Sequence, residues 1–180
     1  LAFLKTATLE ELMKIKGIGK VKAIQLKAIC ELSIRLSRPI VSTGVLIKNT
    51  DQIAQMVLGE FQYEKCELAR LFLLNARNRL LKIEDIAFGG TSFVNLDIKS
   101  IISCVMRTGA NRIVLVHNHP SGDSTPSQAD IHFTDKLYNM LNDFNIELLD
   151  HIIIGNLEYK SVFEYIRELC QKARSDANEN

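Results

Sequence analysis

The chain has 180 residues, of which 47% are apolar and 24% charged, and its formal net charge is +1. That apolar content builds a buried core and marks a globular rather than a disordered chain, and no apolar run approaches the roughly 20 residues that cross a bilayer. The near-neutral total hides an uneven split: residues 1–40 carry eight Lys and Arg against three Glu, whereas residues 41–180 carry 14 basic and 18 acidic groups. A basic N-terminal piece therefore precedes a mildly acidic body, which suggests two units with different partners. No secretory leader is legible, and the chain opens on Leu1 rather than Met, as a trimmed product would. Cys30, Cys66, Cys104 and Cys170 are far apart with no CxxC pair. That argues against a zinc ribbon, a dithiol redox motif or a dense disulfide framework, and it suits reduced thiols in the cytoplasm.

In chain order, Thr8 caps a short helix over Leu9–Ile15, with Glu10 and Glu11 in its first turn. Gly17-Ile18-Gly19 breaks it. A longer helix is predicted from Lys20 to Leu36, with Val21, Ile24, Leu26, Ala28, Ile29, Leu32 and Leu36 near a helical period, ended by Arg38-Pro39. A linker or short extended piece runs to Lys48. Thr50 and Asp51 open a helix stopped by Gly59. Leu68–Leu74 reads as a buried strand, Asn75-Ala76-Arg77-Asn78 as a hairpin turn, and Arg79–Phe88 as the returning strand, ended by Gly89-Gly90. Leu96–Thr108 reads as a helix with Gly109 as its C-cap. A strand at Ile113–Val116, a helix from Ser127 to Asp143, a strand at Ile146–Ile154 and a helix from Val162 to Lys172 complete the body, with a frayed tail from Ser175. The fold class is α/β (α+β), a mixed sheet flanked by helices, preceded by a small all-α segment.

The stretch from Ile113 to Asp130, IVLVHNHPSGDSTPSQAD, carries the chemistry. Residues i and i+2 of a strand share a face, so His117 and His119 aim at one point if strand geometry continues past Val116. Pro120, Gly122 and Pro126 suit a loop that folds back to bring in Asp130 from the first turn of the next helix. Two imidazoles and a carboxylate leave a divalent ion a free position, as in catalytic zinc sites. The plainer reading is that Ser127-x-x-Asp130 is a capping box and Asp130 only caps backbone donors. His132 follows Asp130 too closely on the helix to share its direction. No GxSxG, Cys–His pair, HExxH or HxE…PCxxC is present, so a covalent nucleophile, a helix-borne zincin and a zinc deaminase are disfavoured.

The pattern His117-x-His119-x7-Ser127-x-x-Asp130 resembles the metal motif of the JAMM (MPN+) metalloproteases, and HNHPSGDSTPSQAD is very similar to the form in the bacterial RadC, or UPF0758, family. The GIG hairpin, LFLLNARNRLL, TGANRIVLVHNHPSG and DHIIIG extend the resemblance over most of the chain. It implies a JAMM/MPN-like (cytidine deaminase-like) fold over residues 41–175 and one Zn2+ per chain, held by His117, His119 and Asp130. It also implies a glutamate just before the first core strand, acting on a metal-activated water. Glu67 matches best, with Glu64 as the alternative. Ser127 would support the transition state. Asp150 and His151, the DH of DHxIxG, would support a metal ligand or else form an ordinary core edge. The implied activity is zinc-dependent peptide or isopeptide hydrolysis of a protein or peptide substrate.

Residues 1–40 resemble a short helix-hairpin-helix DNA-binding module, as a truncated one would be, with Gly17, Gly19, Lys20 and Lys22 placed to meet a phosphate. A solvated lysine face is the plainer reading. Two rivals to the hydrolase follow: a DNA-repair or DNA-processing protein, and an inactive binding module that keeps a metal-like loop. No membrane partner is expected, and the substrate and oligomeric state stay open.

Overall fold

Alternation along the strands decides which residues of the body meet which helices. A computed structural model describes residues 3–4, 7–37, 43–61, 64, 66–88 and 97–178. The chain divides into two units, Leu1–Ile40 and Val41–Asn180.

In the first unit, α1 (Leu9–Met13) begins with a capping box: Thr8 Oγ1 accepts from Glu11 N at 3.1 Å, and Glu11 Oε2 accepts from Thr8 N at 2.7 Å. It ends two residues before the predicted Ile15. After a turn with Gly17 at φ 89°, α2 runs from Lys20 to Ser37. The core here is small, Ala7, Leu12 and Ala23, with Leu4, Ile18 and Leu26 packed against it. The apolar stripe expected along α2 is not a core face: Val21, Ile24, Ile29 and Leu32 are exposed. A five-residue α1 buries only Leu12 and is too short to cover an 18-residue helix. The Arg38-Pro39 stop lies outside the described residues.

In the second unit, α3 spans Thr50–Phe61 and passes through Gly59, which does not stop it. Ile53, Ala54, Val57 and Phe61 recur at helical spacing and are buried, and that packing outweighs the weak helix propensity of one glycine. Strands β1 (Leu68–Leu74), β2 (Leu80–Phe88), β3 (Arg112–Asn118), β4 (Glu147–Ile154) and β5 (Tyr159–Ser161) form one mixed sheet in the order β2-β1-β3-β4-β5. Only β3 and β4 run parallel. Between strands lie α4 (Ile98–Thr108), capped by Asp97 and by Gly109 at φ 68°, and α5 (Gln128–Asn142). The chain closes with α6 (Val162–Asn178). The Gly89-Gly90 end of the second strand is outside the described residues. Strand β5 was not expected, being only three residues long. The helix α6 continues through 175–178, where a frayed tail was expected.

One face of the sheet, Ala69, Leu71, Leu73, Ile113 and Leu115, packs with Ile101, Cys104 and Val105 of α4 and Leu137 and Leu141 of α5. The other face, Leu68, Phe72, Leu74, Val114, Val116, Ile152 and Ile154, packs with α3. Burying each Leu, Ile, Val or Phe among them contributes about 1.5–3 kcal/mol. On the α3 face, Arg70 is buried between Glu60 and Asp85 with its guanidinium over the Phe61 ring. None of the four cysteines is in a disulfide. No helix among the described residues is long and apolar enough to cross a membrane.

Candidate metal centre

Strand β3 continues through Asn118, two residues past Val116, so His117 keeps the orientation of Ile113 and Leu115 toward α5. His119 follows the strand, its backbone N–H donating to Ile154 O of β4 at 2.9 Å. The loop then folds back. Gly122, at φ 87°, donates its N–H to His119 O, and its carbonyl accepts from Asn156 N at 2.8 Å. Ser124 Oγ donates to Glu158 Oε1 at 2.8 Å. Gly155 makes this docking feasible, because a Cβ there would stand 2.5 Å from Gly122 O and 2.8 Å from Ser124 N. The loop delivers Ser127 as N-cap of α5, with Asp130 at its N3 position.

His117, His119 and Asp130 each offer a ligand atom, and these atoms lie within 4.8 Å of one another. Asp130 also completes the capping box with Ser127: Ser127 N donates to Asp130 Oδ2 at 2.7 Å, and Asp130 N donates to Ser127 Oγ at 3.2 Å. The two readings of Asp130 are thus compatible in one side chain. Ser127 Oγ in turn donates to Asp130 Oδ2 at 2.6 Å.

Hydrogen bonding behind the imidazoles fixes which nitrogens face each other. Thr134 Oγ1 donates its one proton to the Asp130 carbonyl at 2.6 Å, one turn back on α5. The same oxygen, 2.6 Å from His151 Nδ1, must accept, so His151 carries its proton on Nδ1. His151 Nε2 then accepts from His117 Nδ1 at 2.8 Å, which leaves His117 Nε2 with a bare lone pair. His119 donates from Nδ1 to Asp123 O at 2.8 Å, with the same consequence for its Nε2. Those two nitrogens stand 3.3 Å from Asp130 Oδ1 and 3.4 Å from Asp130 Oδ2. Lone pairs facing carboxylate oxygens at that range call for a proton or a cation between them, so the donor set fits a divalent ion.

The charges agree. Burial opposes ionisation of Asp130, but the hydrogen bonds formed when a proton lies between it and the His117 and His119 rings outweigh that effect and hold the carboxyl well below the usual range. The Asp130 hydrogen bond raises the His119 pKa against the opposing effect of burial, with the Asp123 carbonyl and the charges of Asp130 and Glu67 adding to the rise. Burial first, then the neighbouring His117, pushes the His151 pKa well down, so that ring is neutral.

Residues 47–168 match the RadC-like JAB domain family, and residues 4–29 match the helix-hairpin-helix motif. The chain belongs to the RadC-like family. It is 41% identical over 164 residues to a UPF0758 protein of Moorella thermoacetica, covering 91% of this chain and 71% of the relative. A UPF0758 protein of Alkaliphilus metalliredigens is 37% identical over the same shares, and one of Staphylococcus carnosus is 38% identical over 89% of this chain and 71% of the relative.

Other site residues of this RadC-like chain divide by position. Glu67 immediately precedes β1 and is half-buried, and its charge is felt at His119. Glu64 lies on the same approach, with its carbonyl accepting from Asn118. Of the Asp150–His151 pair, only His151 joins the site. Asp150 points to the α3 face, where it accepts from Ser161 Oγ at 2.7 Å and from His151 N at 2.8 Å, and burial raises its pKa despite those bonds. Thr134 went unrecognised in the sequence. Its spacing of one helical turn from Asp130 was the available signal, but a mid-helix threonine has no chemistry of its own to advertise. In the first unit, Lys20 opens α2, Lys22 Nζ donates to Gly17 O at 3.2 Å, and Gly19 has open space around it.

Proposed function

We propose that the body is a zinc-dependent hydrolase of peptide or isopeptide bonds. The supporting observation is the convergence of two bare Nε2 atoms, each on a ring whose Nδ1–H is already bonded, with the Asp130 carboxylate, whose Oδ2 Ser127 holds in place. His117, His119 and Asp130 would hold the ion. When bound, zinc supplies Lewis-acid chemistry, lowering the pKa of water to about 7 and polarising a carbonyl.

The remaining work falls to the chain's own groups. Glu67 takes a proton from the attacking water and hands it to the leaving amine. Ser127 Oγ, on the exposed N-cap of α5, donates to Asp130 and would offer that donor to a developing oxyanion. His151 and Thr134 keep His117 in the tautomer that presents Nε2, and burial keeps His151 from competing for a proton.

The test is turnover of a peptide and isopeptide-linked substrate library, read by mass spectrometry. Zinc-loaded protein cleaves, chelated protein does not, and Glu67→Gln keeps its zinc while losing turnover by about 100-fold or more. Cleavage that survives both changes overturns the reading.

A second function is favoured by the helix-hairpin-helix match and the basic charge of residues 1–40. In that reading the first unit contacts duplex phosphates through the Gly17–Lys22 turn, positioning the chain on DNA without reading sequence.

A further inference from the structure

Asn118 stands between the two histidines yet takes no part in the site they form. Strand alternation sends its side chain to the opposite face from His117, where it is 1% exposed. A buried primary amide needs partners for an acceptor and two donor hydrogens. Among the described residues every partner of this one lies in the segment that carries Glu67. Oδ1 accepts from Leu68 N at 2.7 Å, and Nδ2 donates to Cys66 O at 3.2 Å and to Glu64 O at 3.4 Å. The backbone donor and acceptors also fix which way round the amide sits.

The bonded backbone groups flank Glu67 on both sides, at Cys66 and Leu68. We propose that Asn118 is a positioning residue that clamps the backbone on either side of Glu67 and ties it to the strand presenting His117 and His119. The inference rests on the hydrolase reading for its catalytic consequence, and on the geometry alone for the clamp. Two adjacent residues at the end of β3 then set both halves of the chemistry: His117 on the α5 face offers a ligand atom, and Asn118 on the α3 face sets where the general base stands. A base misplaced by about 1 Å loses about 100-fold in rate. Neither Asp nor Leu matches the three contacts. Asp keeps the acceptor for Leu68 N–H but turns an oxygen toward two carbonyls. Leu fills the space and leaves all three backbone groups unpaired.

The full chain is compared with Asn118→Asp and, should that variant fold poorly, Asn118→Ser, each with and without Glu67→Gln. Three readouts are taken: zinc affinity by calorimetry, steady-state kinetics on a cleaved library peptide, and amide hydrogen exchange at Leu68. Expected are zinc affinity within about threefold of the parent, kcat lower by about 100-fold at nearly unchanged KM, and Leu68 exchange at least tenfold faster with Val114–Val116 unchanged. The double variants should be no slower than Glu67→Gln alone, because Asn118 acts through that carboxylate. The proposal is overturned if Leu68 exchange is unaltered, if zinc affinity falls in step with kcat, or if the two substitutions are additive. Failure of the hydrolase reading shows separately, as absence of cleavage by the parent chain. The exchange arm then still decides whether the clamp exists, and unchanged Leu68 protection refutes it.

Discussion

At the scale of single residues, the site depends on which nitrogen of each imidazole is bare. Replacing His151 with Leu leaves the His117 Nδ1–H without its acceptor, 2.8 Å away in the parent. Zinc affinity measured by calorimetry should fall about 10–100-fold, as for other outer hydrogen-bond partners of metal ligands. An unchanged affinity would show that His117 needs no such partner. Protons compete with the ion for His119, whose pKa the Asp130 hydrogen bond raises above the ordinary 6.5. The sign follows: above the raised pKa the imidazole is neutral and ready to bind, and below it binding must displace a proton. Zinc affinity followed against pH should therefore begin to fall above pH 6.5 and decline further on acidification. An affinity flat down to pH 5.5 contradicts this. The ligand types and spacing were legible in the sequence because HxH and a helix-start acid have few other uses together. Thr134 and Asn118 were not, since their importance lies in contacts made across 17 and about 50 positions of sequence.

At the scale of elements, Gly59 and Gly155 behave oppositely. Gly59 lies inside α3 with open space around it, so Gly59→Ala should stabilise the fold by about 0.5–1 kcal/mol in chemical denaturation. Gly155 lies where β4 meets the metal loop, and its added Cβ would press on backbone atoms at 2.5 and 2.8 Å. Gly155→Ala should destabilise by about 1–3 kcal/mol and weaken zinc binding as well, because the loop that must move carries His119 and leads to Asp130. Equal and small effects at the two positions would refute this contrast. The sequence marked Gly59 as a helix stop, whereas burial of Phe61 and Val57 extends the helix past it. Local propensity gave way to packing, as it also did where three residues, Tyr159–Ser161, pair with β4 as a strand too short to show a period.

At the scale of the whole molecule, the chain is a RadC-like JAB domain preceded by a helix-hairpin-helix motif. The body's mixed sheet was legible because Leu68–Leu74, apolar apart from Arg70, and Ile113–Val116 are strand-length apolar runs, whereas the strand order β2-β1-β3-β4-β5 rests on pairings between segments distant in sequence. The first unit was harder to read, because a periodic apolar stripe on α2 does not say that a partner covers it, and Val21 and Ile29 remain exposed. The proposed functions of the two units should separate. Lys20→Glu with Lys22→Glu should abolish salt-dependent duplex binding in fluorescence anisotropy and leave zinc content and peptide cleavage unchanged. Loss of cleavage together with DNA binding would contradict that division. The central claim, that His117, His119 and Asp130 together hold a catalytic ion, is tested most directly by the zinc content of the purified chain after zinc supplementation and exhaustive dialysis. One zinc per chain, lost on His117→Ala, is the predicted result, and an intact chain that emerges without zinc would contradict it.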